Sequence, residues 1–249
     1  MILIKPSFEI VTPINGEEIL KHIELAARTC YKSEGKIKYG ILFPALTEED
    51  EHCKPQIEDG YAESARVLIP KLIKRGHFAM LEFGGMIHVK FICDRGVSHE
   101  LVRHRLASFA QESTRFCNYG DDKDITYIVP YWFKHQTVED FLRLESQYVF
   151  ADTNDKQESI EIHWYEAMQT SEECYQVMIL NGASPQEARS VLPNSLKTEI
   201  NMSCNLREWR EVFKQRTAEA AHPQMRELMR PLLDEFKKRI PIIFDDINY

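Results

Sequence analysis

The chain has 249 residues, 43% hydrophobic and 28% charged, with 39 acidic against 31 basic side chains and a formal net charge of −8. That balance is the one of an ordinary globular protein, long enough to bury a core without covalent staples as one large domain or two small ones. The acidic excess argues against a general nucleic-acid binder, which needs a broad basic surface to displace counterions, and no apolar run approaches the roughly 20 residues of a membrane span.

The opening Met1-Ile2-Leu3-Ile4-Lys5-Pro6 is too short and too soon interrupted for a signal peptide, so a soluble cytoplasmic protein is expected. Gly16 to Tyr31 carries Ile19, Leu20, Ile23, Leu25 and Ala26 at amphipathic helical spacing. Lys32 to Lys54 is polar and interrupted by Gly35, Gly40 and Pro44, which reads as a long surface excursion. Helical spacing resumes over Asp59 to Arg75 through Ala62, Ala65, Leu68 and Leu72, with Pro70 a candidate kink and Gly76 the stop. Ile87, Val89 and Phe91 alternate with His88 and Lys90, predicting a half-buried strand that closes at Asp94-Arg95-Gly96. Ser98 is the expected N-cap of a short helix running into an arginine cluster.

Ser113 to Tyr119 reads as extended, and with the turn-rich Gly120-Asp121-Asp122 and Ile125 to Val129 it predicts an antiparallel hairpin that Pro130 stops. Val138 to Asn181 is helical with a break at Asp152-Thr153-Asn154-Asp155, and Gly182 is its C-cap glycine. Ser184-Pro185 starts a helix through Ala188 that Pro193 ends. Thr198 to Cys204 is a candidate strand, followed by helices over Leu206 to Arg216 and Pro223 to Lys238. No glycine-rich turn follows a strand, so the expected class is α+β: an antiparallel sheet core flanked by helices, one domain over residues 1–249 with helical extensions.

Chemistry concentrates at Arg103 to Arg115, which gathers three arginines, His104, Ser108 and Ser113 within an acidic chain. Guanidinium forks bind phosphate and carboxylate, and serine hydroxyls add neutral donors, so the stretch reads as a phosphate or nucleotide clamp. The competing reading is a solvated helix end favoured by the helix dipole. Period-two alternation in the extended reading favours the clamp, because it puts Ser113 and Arg115 on one face and Phe116 on the other. His99-Glu100-Leu101-Val102-Arg103-His104 superficially resembles a zinc motif. On a helix those two histidines diverge by roughly 140°, so no metal site is expected. Ser113 has arginines rather than a base beside it, which favours anion binding over nucleophilic attack. The six cysteines, Cys30, Cys53, Cys93, Cys117, Cys174 and Cys204, form no C-x-x-C pair and are expected as reduced packing thiols.

Arg103-His104-Arg105, seven residues, Ser113 and then Arg115 resembles the R-H-R-x7-S signature of the flavin-dependent thymidylate synthase family. Gly76-His77-Phe78 with Leu81-Glu82 resembles that family's upstream flavin-contacting block. Ala188 to Pro193, Asn205-Leu206-Arg207 and Arg216 resemble its downstream block. The similarity runs from about Ala26 to Leu233. It implies methylation of deoxyuridylate (dUMP) to thymidylate, with methylenetetrahydrofolate as one-carbon donor, NADPH as reductant and hydride delivery by reduced FAD, in a homotetramer.

By position, the resemblance assigns dUMP binding to Glu100, Arg103, Gln111, Ser113, Arg115, Arg189 and Arg216, with Arg216 also catalytic through the negative charge it would stabilise on the pyrimidine. It assigns FAD binding to His77, Arg103, His104, Arg105, Gln111, Asn205 and Arg207. Four positions depart from the family pattern: Gln111 for glutamate, Glu100 for glutamine, Phe116 for tyrosine and Ala79 for a hydroxyl residue. Structural alternatives stand beside these roles: His77 as a helix cap, Arg189 paired with Glu187 or Glu199, Asn205 as an N-cap and Arg216 in a helix salt bridge. A relative acting on another pyrimidine nucleotide and a non-catalytic nucleotide-binding protein are the alternative functions.

Overall fold

The computed structural model describes residues 1–38, 62–120, 124–150 and 155–249. The expected surface excursion from residue 39 onward, the turn at Asp121 and Asp122, the break at Asp152-Thr153-Asn154, and Cys53 lie outside the described residues. In chain order the elements are β1 Ile2–Ile4, β2 Ser7–Ile10, α1 Gly16–Cys30, α2 Glu63–Lys74, β3 Met86–Asp94, α3 Arg95–Leu101, β4 Ser108–Gln111 and β5 Thr126–Ile128. Then come α4 Val138–Phe150, α5 Lys156–Leu180, α6 Pro185–Ala188, β6 Lys197–Asn205, α7 Leu206–Arg216 and α8 Pro223–Arg239. This is the expected mixed α+β class. The chain groups into two compact units, Met1–Ile10 with His88–Met202 and Ala220–Leu228, and Val11–Ile87 with Ser203–Glu219 and Met229–Tyr249.

The first unit holds most of a four-stranded sheet in the order β2-β3-β6-β4, with β2 and β3 antiparallel from Ser7 opposite Ile92 to Ile10 opposite Val89. His88 meets Asn201 at 2.8 Å and Lys90 meets Glu199 at 2.6 Å, so β3 and β6 run in opposite directions. Strict alternation buries Val89, Phe91 and Cys93 on β3 and Thr198, Ile200 and Met202 on β6. A separate parallel pair joins β1 to β5, Ile2 opposite Thr126, above a core of Ile125, Tyr127, Met168, Tyr175, Ala188 and Leu196. On α5, Glu161 is fully buried and accepts from the backbone N–H groups of Lys134 at 2.9 Å and His135 at 3.1 Å, and from Gln157 at 2.8 Å. Its Oε2 also lies 2.7 Å from His135 Nδ1, which fastens residues 130–136 from inside.

The second unit is built on an aromatic core, with Trp209, Phe213, Phe236 and Phe244 at centroid separations of 5.0 to 5.6 Å. Trp209 Nε1 donates to the Ile87 carbonyl at 3.0 Å, satisfying its one polar atom. Arg210 is 1% exposed and binds both oxygens of Asp246, at 2.6 and 2.7 Å. Helix α1 starts at Asn15, whose side chain accepts from Glu18 N–H, and buries Ile19, Leu20, Ile23 and Ala27. Its predicted apolar face is shifted, because Leu25 and Ala26 line a cavity of about 620 Å³ with Met80 and Phe83. Residues 78–84 form a 3₁₀ turn packed closely at Gly84, where a Cβ would lie 2.4 Å from Leu206 Cδ1 and would force that side chain to shift.

Two expectations are corrected. Ser113 to Tyr119 is not a strand and forms no hairpin with residues 125–129. The Ser113 carbonyl accepts from Phe116 N–H at 3.1 Å and Cys117 N–H at 2.9 Å, closing a turn, while β5 takes β1 as its partner. Ser98 does not cap α3. Asp94 does, its Oδ1 accepting from Val97 N–H at 2.8 Å, because the helix begins directly at the strand end. Strands β1, β2 and β4 are three or four residues long, too short for a period to register in the sequence.

Candidate functional site

In the first unit, α3 places the arginine cluster. Its end unwinds through Arg103 N–H to the Glu100 carbonyl at 3.2 Å, His104 N–H to Leu101 at 3.1 Å and Ala107 N–H to His104 at 3.1 Å. The His104 side chain is buried, whereas Arg103 and Arg105 are exposed and Glu100 half-buried. Cationic heads at a helix C-terminus meet its carbonyl dipole favourably, so the backbone supports them whether or not a ligand is bound. His99, on α3, is exposed, and His104, beyond the end of that helix, is buried. Among the described residues no group of three His, Cys, Asp or Glu side chains is arranged to hold a metal ion.

The turn after β4 gathers a second set. Ser113 Oγ accepts from Arg115 N–H at 3.3 Å, and Thr114 is buried with its Oγ1 accepting from Arg189 Nη1 at 3.3 Å. Arg115 is exposed, its guanidinium carbon 5.4 Å from the Phe116 ring centroid, and that ring is 79% exposed. Ser113, Arg115 and Arg189 thus meet around one turn, although the extended backbone that suggested the first two as neighbours is absent. The alternative partners of Arg189 are engaged elsewhere. Glu187 closes a capping box with Ser184 at the start of α6, and Glu199 binds Lys90 and Lys197.

Gln111, at the end of β4, lines a groove of about 500 Å³ with Ala110, Glu112, Lys197, Glu199 and Asn201. Lys197 Nζ lies 3.1 Å from Glu112 and 2.8 Å from Glu199. Hydrogen bonds from Lys197 and Lys90 hold the Glu199 carboxyl down at about 2. Burial works against the charge on Lys197, but Glu199 and Glu112 outweigh it and raise its pKa. Tyr119 donates to Glu112 at 2.6 Å, and burial, reinforced by that bond, pushes its phenol upward. Sequence reasoning missed this charged lining. Its signal was the alternation of Lys197, Glu199 and Asn201 along β6, opposite the buried Thr198, Ile200 and Met202.

The second unit holds the remaining residues. His77 is exposed at the start of the 3₁₀ turn, makes no capping bond, and has Nδ1 3.5 Å from the Tyr31 hydroxyl. Asn205 does cap a helix: its Oδ1 accepts from Glu208 N–H at 2.9 Å, leaving the amide nitrogen as its other polar end. Arg207 Nη1 lies 2.7 Å from Glu82 Oε1, with both side chains about half exposed. Arg216 is the last residue of α7 and is half-buried.

Comparison with known proteins assigns the chain. Residues 15–242 match the family described as thymidylate synthase complementing protein. The chain belongs to that family. Among its relatives is a flavin-dependent thymidylate synthase of Pyrococcus furiosus, 29% identical over 180 residues, which are 72% of this chain and 64% of that protein. Proteins of the same description from Geobacter sulfurreducens and Mycobacterium marinum are 29% and 28% identical over 224 and 246 residues. Those alignments cover 90% and 99% of this chain, and 80% and 86% of the relatives. The stretch matched to the thymidylate synthase complementing family takes in every candidate residue above, from His77 to Arg216. No helix among the described residues is long and apolar enough to cross a membrane.

Proposed function

We propose that this member of the thymidylate synthase complementing family is a flavin-dependent thymidylate synthase. It methylates dUMP, with methylenetetrahydrofolate as one-carbon donor, NADPH as reductant and FAD as cofactor, in a homotetramer. The observation that carries this reading is the grouping of Ser113, Arg115 and Arg189 around one turn, with Arg189 anchored on Thr114. Two guanidinium groups and a hydroxyl suit a phosphate monoester, whose oxygens accept several charge-assisted hydrogen bonds at once. Arg103 and Glu100 at the end of α3 belong to the same nucleotide set, and so does Gln111 at the end of β4.

The donor chemistry also fits FAD. His77, Asn205 and Arg207 expose a ring nitrogen, an amide and a guanidinium, and Arg105 an outward cation, the groups a diphosphate and a flavin ring accept from. The Arg207–Glu82 pair is half exposed, so exchanging it for a phosphate costs about 0–1 kcal/mol. Arg103 and Gln111 would meet both ligands, and His104 would belong to the flavin set. Bound flavin supplies the hydride chemistry that no side chain offers.

Carbon 5 of uracil becomes nucleophilic when negative charge can spread over the imide. Arg216 is the residue to hold that charge, as an oxyanion donor would. Ser113 needs no nucleophilic role, since its Oγ accepts from Arg115 N–H and the neighbouring side chain cannot act as a base. The test is release of tritium from dUMP labelled at carbon 5, in the presence of FAD, methylenetetrahydrofolate and NADPH. Release dependent on all three additions supports the reading, and its absence with flavin bound overturns it. Mass spectrometry of the product separates methylation from another one-carbon addition.

A further inference from the structure

The side chain of Gln111 is held in one polarity. Ser98, fully buried on α3, donates its hydroxyl proton to the Arg95 carbonyl at 3.0 Å. A serine hydroxyl has one proton, so with that proton committed Oγ can only accept from its other neighbour. The neighbour is Gln111 Nε2, 2.8 Å away. The same Nε2 lies 3.2 Å from Oγ1 of the fully buried Thr198 on β6. Whichever way an amide is first drawn, this chain of donors fixes it: nitrogen inward, oxygen away from Ser98 and Thr198. Both N–H groups face hydroxyls of the protein, and Oε1 is the end of the amide that those hydroxyls leave to a ligand.

We propose that Gln111 is a specificity-determining residue that offers the nucleotide only a hydrogen-bond acceptor, and that Ser98 and Thr198 are the positioning residues that fix this polarity. The inference rests on the nucleotide reading given above. Its chemical complement is a donor, which deoxyuridylate carries at its ring imide N–H and at its sugar 3′-hydroxyl. A nucleotide whose group at that point only accepts leaves two acceptors facing each other, and a site built on a buried hydrogen bond rejects such a ligand more strongly than one built on apolar contact. No titration is involved, so the selection holds across pH.

The test is equilibrium titration of the full-length, FAD-loaded protein with three nucleotides: dUMP, its N3-methyl analogue and its 3′-deoxy analogue. The unsubstituted protein should bind one analogue roughly tenfold more weakly than dUMP, and which one it is identifies the donor that Oε1 meets. In the S98A/T198V double variant the amide is free to turn and offer either end, so discrimination should fall to within about twofold while dUMP affinity drops only a few-fold. Gln111→Met, which keeps the volume and removes the acceptor, should lose the discrimination with Ser98 and Thr198 intact. If the double variant does not fold, Gln111→Met decides the acceptor role and Ser98→Ala alone decides the positioning role. Equal binding of all three nucleotides by the unsubstituted protein, or tenfold discrimination surviving in the folded S98A/T198V or S98A variant, overturns the inference while leaving the nucleotide reading intact. Binding of none of the three overturns both.

Discussion

Arg189→Ala tests the nucleotide site most directly. In the free protein Nη1 of Arg189 donates to Thr114 Oγ1 at 3.3 Å, so the edge formed by Nε and Nη2 is the one left to meet a phosphate. Two charge-assisted hydrogen bonds at about 1.5 kcal/mol each, the low end for an exposed guanidinium, amount to about 3 kcal/mol, or roughly 150-fold in Kd. Thr114→Val keeps the volume of the buried side chain and removes only the anchor. A hydrogen bond of that length is worth about 0.5–1.5 kcal/mol, so affinity should weaken by only about 2–13-fold. Calorimetric titration with dUMP, with FAD bound, reads both. The reasoning fails if Arg189→Ala leaves Kd within twofold, which would remove Arg189 from the phosphate. It also fails if Thr114→Val is as damaging as Arg189→Ala, which would mean that the turn rather than the guanidinium is what matters.

Arg216→Ala should lower turnover by roughly 10²-fold if the side chain acts as an oxyanion donor, measured by single-turnover product formation, and an unchanged rate would strike it from the catalytic residues. Glu161→Ala should destabilise the protein by about 3–5 kcal/mol in urea unfolding, because two backbone N–H groups, Gln157 and His135 lose a buried charged partner together; a loss under 1 kcal/mol would show that residues 130–136 are held by something else. Burial opposes ionisation of Glu161, but those hydrogen bonds prevail and lower its folded pKa, so its contribution is complete above the ordinary glutamate range and is lost as pH falls through the folded value. Glu199 follows the same sign: with Lys197 and Lys90 holding it at about 2 against an ordinary 4.5, its stabilisation should disappear between those values. Glu199→Gln should flatten that limb of the stability profile, and an unaltered limb would refute the assignment.

Much of the architecture was legible because it is written in local periodicity. Spacings of three and four marked α1, α5, α7 and α8, and alternation marked β3 and β6, whose inward residues are the buried ones found. The capping chemistry of Ser184-Pro185 and the glycine after α5, with φ of +91° at Gly182, were likewise read from neighbours in the chain. The motif through Arg103, Ser113 and Arg115 was visible for the same reason: its spacing is a property of the sequence and stands whatever the backbone does.

Hydrogen-bond partners far apart in the chain were not legible. Arg189 finds Thr114 across 75 residues and Gln111 finds Thr198 across 87, and no local pattern specifies which of many polar side chains will meet after packing. The Ser113 turn shows the limit from the other side. Its alternation was compatible with a strand, but β5 had a partner in β1, more than 120 residues away in sequence, and the Ser113 carbonyl was satisfied by its own neighbours instead. The sequence alone therefore determined which residue types can carry the chemistry and most of the helices and strands that present them, because those follow from side-chain spacing along one element. Tertiary structure decided which end of Gln111 the buried hydroxyls engage, what anchors Arg189 and where the charged lining lies, because buried polar atoms must each find a partner and only the folded chain brings those partners within reach.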